Sequence, residues 1–85
     1  MILKFILLGS MCYTIETKVI CRDFIQNPIL SDSQCRSAAY SIGMTVKDRI
    51  EKKEGSMEHY EVHCIAIDPE GYNIDHSFKI SYNIL

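Results

Sequence analysis

From Tyr72 onward the chain places Tyr72, Ile74, His76, Phe78, Ile80, Tyr82 and Ile84 at every second position. That is the period of a strand with one face buried. Asp68-Pro69-Glu70-Gly71 stands just before it. There Pro69 presets φ, Asp68 can cap its own loop and Gly71 admits a positive φ, so the segment reads as a β-turn. A hairpin is therefore expected, with its first strand ending at Asp68. A plain two-residue loop would pair Ile67 with Tyr72 and set His63 opposite His76. A turn with Gly71 as a G1 bulge instead pairs Asp68 with Tyr72. Ala66 then meets Ile74, Cys64 meets His76, Val62 meets Phe78 and Tyr60 meets Ile80. The other face pairs Glu61 with Lys79 and His63 with Ser77. The bulged register gives one largely apolar face and a cross-strand ion pair on the other, and it is the one the pattern selects.

The rest of the chain yields three more elements. Residues Ile2 to Met11 are apolar on both faces apart from Lys4, which suits a central strand. Cys12 to Glu16 reads as a connection, and Thr17 to Phe24 as a β-branched second strand. Asn27-Pro28 breaks that strand, because proline removes a ladder donor. Ser31-Asp32-Ser33-Gln34 then reads as a capping box, with Leu30 and Cys35 in the staple positions. Cys35, Ala38, Ala39, Ile42, Val46 and Ile50 follow at helical spacing. Lys52 and Lys53 suit the negative pole of the helix, and Gly55 ends it. Gly43 weakens its middle by roughly 1 kcal/mol relative to alanine.

The order strand, strand, helix, strand, strand predicts an α+β fold. It is a four-stranded antiparallel sheet (ββαββ, spatial order 2-1-3-4) in one domain, residues 1–85, with the long helix on one face. One helix leaves the other face open. Ile65, Ile67 and alternate residues of strand one point that way and suggest a partner surface or a homodimer.

Composition narrows the function. Eighty-five residues give a small core whose stability is marginal without a partner or cross-link. Eleven acidic residues balance nine basic ones. Lys47, Arg49, Lys52 and Lys53 alternate with Asp48, Glu51 and Glu54, so no basic stripe for nucleic acid exists. Residues 1–13 carry Lys4 ahead of a short apolar run, the order of a secretory leader. The run is shorter than an h-region, no small-x-small site follows, and it is too short to span a bilayer. A buried strand is the expectation.

Four cysteines and three histidines are the candidate chemistry. No C-x-x-C knuckle is present, so zinc-ribbon and zinc-finger patterns are absent. Cys64 opposite His76, with Cys35 above and Cys21 nearby, could form a metal site or a Cys–His nucleophile pair. Core packing is the stronger expectation for all of them. His59, Glu61 and His63 share the opposite face but diverge along one strand, and are taken as surface residues. In an oxidising compartment Cys12 and Cys21 could close the first hairpin, and Cys35 and Cys64 could tie helix to sheet. Without a leader the thiols are expected reduced. No phosphate loop, nucleophile elbow or carboxylate pair appears, so no enzyme, cofactor or metal is expected.

An apolar first strand, Cys12 and Cys21 flanking its turn, Ser31-x-x-x-Cys35 opening the helix and Val62-x-Cys64 on a strand resemble small phage- and prophage-encoded proteins. The likeness covers residues 1–68; the long last strand departs from it. It implies a non-enzymatic binding protein, acting in the cytoplasm of an infected bacterium. Such a protein occupies a surface of a host complex, as anti-CRISPR and other anti-defence inhibitors do. Ile65, Ile67, Ser77 and Lys79, on the uncovered face and the edge of the last strand, are the expected partner-binding residues. The alternatives are an exported, disulfide-stapled protein and a small metal-binding domain.

Overall fold

The computed structural model describes residues 3–29 and 31–81, without the Asn27 side chain. It is an α+β fold in which one helix lies on an antiparallel sheet, the class the pattern predicts. The elements are β1 (Lys4–Ile15), β2 (Lys18–Ile29), α1 (Asp32–Lys52), β3 (Ser56–Asp68) and β4 (Gly71–Ser81). The sheet runs β2-β1-β3-β4. Ile2, Leu30, Tyr82 and Ile84, invoked above for strand one, the staple and strand four, lie outside the described residues.

The first hairpin is longer than expected. β1 continues through the predicted connection, pairing Cys12 with Cys21 and Ile15 with Lys18, so the loop is only Glu16-Thr17. Glu16 carries the positive φ, +59°, that so tight a turn needs. Asn27-Pro28 does not end β2. Phe5 pairs with Ile29 and Leu7 with Gln26, so the proline sits in a bulge on an edge strand, where a missing donor is tolerated.

Ser31 caps α1: its Oγ accepts the Gln34 amide at 3.1 Å. The helix stops at Lys52, and the positive φ expected at the terminus falls on Glu54, at +59°. The Gly55 amide donates to the Ile50 carbonyl and the Glu54 amide to that of Glu51. This is a Schellman closure with glutamate in the left-handed position. Gly55 is needed for a close approach instead. A Cβ there would press on the Thr14 carbonyl, so glycine lets the chain cross close beneath β1.

The core lies between α1 and alternate residues of β1 and β3: Phe5, Leu7 and Met11 against Tyr60, Val62, Cys64 and Ala66. Gly9 has no side chain because the Phe24 ring occupies the place of its Cβ, and Phe24 stacks on Tyr60 with centroids 6.1 Å apart. The edge strand is thus drawn over the central one toward the core. Tyr60, 1% exposed, donates its phenol to the Ala39 carbonyl at 2.7 Å and accepts from the Gly43 amide. Those two groups are an i, i+4 pair of the helix, so one phenol engages both and fixes α1 above β3. Burial pushes the Tyr60 pKa up to about 12, opposed by the Gly43 bond.

Two disulfides brace this arrangement. Cys12–Cys21 crosses the first hairpin, and Cys35–Cys64 bonds the first turn of α1 to β3. For sequence separations of 9 and 29, restriction of the unfolded chain contributes about 2.5 and about 3.5 kcal/mol.

Two measurements check this packing. Gly9→Ala should displace the Phe24 ring and lower the denaturant midpoint by the equivalent of about 1–3 kcal/mol, with little change in slope. Tyr60 is neutral in the folded state to a higher pH than in the unfolded one. Its contribution is therefore full below pH 10 and lost as pH rises from 10 to about 12, at up to about 1.4 kcal/mol per pH unit. Unfolding measured against pH should show that decline, and Tyr60→Phe should lose it while starting from a lower stability.

Candidate functional site

From Tyr60 to Ala66 the even-numbered residues of β3 face the helix, and the odd-numbered ones from His59 to Ile67 face away. Ile65 opposes Ile6, Ile67 opposes Lys4, and His63 opposes Leu8. Ile25 joins from β2 beside Leu8. The result is an open face with half-buried Ile6, Leu8, Ile65 and Ile67 and a strongly exposed Ile25.

The second hairpin departs from both expected registers. At the turn it takes the plain two-residue loop: Asp68 pairs with Gly71 and Ile67 with Tyr72. Asp68 Oδ1 does cap the loop, accepting the Glu70 amide at 2.9 Å. Gly71 has φ +127°. Beyond Ala66 opposite Asn73 the register jumps, and Cys64 pairs with Phe78, His63 with Lys79 and Val62 with Ile80. Four residues of β4, 74–77, thus oppose Ile65 alone. Ser77 seals this wide bulge: its Oγ accepts the Ala66 amide at 2.9 Å and donates to the Asn73 carbonyl at 2.8 Å.

The jump is odd, so it turns β4 over. Tyr72 and Ile74 stand on or beside the open face, 74% and 85% exposed, whereas Phe78 and Ile80 turn toward the helix. Phe78 packs on Phe5, and the Arg36 guanidinium lies 4.2 Å above its ring. The expected contacts of Cys64 with His76, Val62 with Phe78, Tyr60 with Ile80 and Glu61 with Lys79 therefore do not form. His76 is exposed in the bulge, and Cys64 is bonded to Cys35. No thiol remains for nucleophilic or metal chemistry, since free cysteines are absent among the described residues. The expectation of reduced thiols gives way to two pairs, Cys12 with Cys21 and Cys35 with Cys64.

The open face holds two adjoining depressions. One, of about 400 Å³, lies over Leu8, Ser10, Asp23, Ile25 and His63. The other, of about 270 Å³, lies between β3 and the bulge, over Ile65, Ile74, Ser77 and Lys79, and shares His63. The imidazole between them is held by a hydrogen bond: His63 Nε2 donates to Glu61 Oε1 at 2.7 Å, and His59 Nε2 lies 3.8 Å from Glu61 Oε2. Glu61 takes two histidines in place of the expected Lys79, which stands opposite His63. No group of three or more metal-ligating side chains converges among the described residues. No described helix is long and apolar enough to cross a membrane.

Of the expected partner-binding residues, Ile65, Ile67 and Lys79 lie on this face. Ser77 is half-buried and engaged in the bulge. Ile6, Leu8, Ile25, Tyr72 and Ile74 also belong to the surface. The even positions of β1 signal the first two, while the last two follow from the plain two-residue turn, which pairs Tyr72 with Ile67. No family model, curated protein or solved structure matches the chain.

Ser77→Ala should leave the buried Ala66 amide without its acceptor and cost about 1–3 kcal/mol in thermal or denaturant unfolding. Amide exchange at Ala66 should accelerate more than at Leu7, on the far side of the ladder.

Proposed function

We propose that this chain is a small non-enzymatic binding protein that docks its open sheet face onto a partner protein. The observation that carries the reading is the contiguous apolar surface of Ile25, Tyr72 and Ile74 beside half-buried Ile6, Leu8, Ile65 and Ile67. Apolar patches of this kind mark interaction sites. Lys79 and the His59–Glu61–His63 column give that surface a polar border, as at protein interfaces.

The two cysteine pairs favour the exported, disulfide-stapled form of this protein, because disulfides persist in oxidising compartments. The second form is a phage-encoded inhibitor in the bacterial cytoplasm, docking the same face onto a host complex with its thiols reduced. A homodimer through the face is the form in which the partner is a second copy.

Intact mass of protein from its native compartment, under non-reducing conditions, separates the two settings. The exported form should be lighter than the reduced chain by four hydrogens, and four free thiols would sink it. For the docking surface, Ile65→Lys with Ile67→Lys should abolish partner capture or self-association while leaving the unfolding midpoint nearly unchanged. A monodisperse wild-type monomer that recovers no partner from any compartment of its host would overturn the binding role.

A further inference from the structure

On the helix side of the sheet, away from the open face, a groove of about 200 Å³ runs between the last turns of α1 and the end of the first hairpin. Its floor is apolar: Met11, Tyr13 and Ile15 from β1, with Val46 and Ile50 from the helix. Its rim carries three cations, Arg22, Arg49 and Lys53. Arg22 reaches this side because it pairs with buried Met11.

The charges on the helix make the rim unusual. Lys47 and Glu51 pair at 3.7 Å and Asp48 and Lys52 at 3.1 Å, each four residues apart. Arg49 and Lys53, the C-cap, are also four apart but carry the same sign, so neither can neutralise the other. Neither they nor Arg22 has an ion-pair partner among the described residues. Arg49 and Lys53 stand at the negative pole of the helix, which favours cations there without giving them a discrete counter-charge.

Three unpartnered cations over an apolar floor complement a molecule with a carboxylate at one end and hydrocarbon at the other. We infer that this groove binds a medium-chain amphiphilic carboxylate, its head among Arg22, Arg49 and Lys53 and its chain along Met11, Tyr13, Val46 and Ile50. A groove of about 200 Å³ is on the scale of an eight-carbon acid, about seven methylene-sized groups beyond the head.

The test is titration of the oxidised full-length chain with octanoate, followed by NMR at the Met11 methyl and Tyr13 ring. Saturable shifts are expected at about 10 mM, the range open to a ligand of that size. Octanol, without the charge, and acetate, without the chain, should each bind at least tenfold more weakly. Arg49→Gln with Lys53→Gln should weaken octanoate at least tenfold while lowering the unfolding midpoint only slightly, and Arg22→Gln alone should weaken it several-fold with the midpoint unchanged. No saturable shift, equal binding of octanol or acetate, or undiminished binding by the double variant would each overturn the assignment.

Discussion

An α-helix is about 10 Å wide, and four strands spaced at about 4.8 Å span roughly half as much again or more. One 21-residue helix must therefore serve a sheet wider than itself. The fold meets this by placing β1 and β3 beneath the helix and bending the edges inward. Gly9 surrenders its side-chain space to Phe24 of β2, and the reversal in β4 brings Phe78 and Ile80 to the helix side. Tyr60 and the Cys35–Cys64 bond hold the helix over the two central strands. Nothing among the described residues is left to cover the opposite face, and its apolar residues follow from that shortage.

The class of fold was legible because helix and strand periods are written in different places. Cys35, Ala39 and Ile50 at helical spacing are buried in α1, and the apolar start of the chain becomes the strand with neighbours on both sides. The pairing of β4 was not legible, for a definite reason. A period of two looks identical before and after an odd register jump, so Tyr72 and Ile80 read as one face when the backbone sends them to opposite ones. Only Ser77 hints at the change. A hydroxyl that both accepts and donates can stand in for ladder partners, but serine carries no pattern that announces it.

Chemistry misread from the same pattern is corrected together with the register. His76 opposite Cys64 suggested a ligand pair beneath the helix. With the bulge in place, the half-cystine faces Phe78 and the histidine faces solvent. Cysteine pairing was open to sequence reasoning only as one choice among compartments, because proximity in space depends on the hairpin and helix packing. What the cysteines contribute is mechanical. One bond stiffens the first hairpin, the other pins the start of the helix, and the open face lies on a cross-linked frame.

The bulge in β4 has a consequence for assembly. A sheet grows from its free edges, and this one has two, β2 and β4. Residues 74–77 push β4 out of line and interrupt its regular spacing, which spoils it as a template for another strand. β2 carries an interruption of its own, because Pro28 lacks a ladder donor and sits in the bulge opposite Phe5 to Leu7. The two bulges lie at the same level of the sheet, beside Ile6 on one side and Ile65 on the other. Both edges are thus broken at one height, and the distortion that hid the register from the sequence also disfavours regular edge-to-edge pairing along either side.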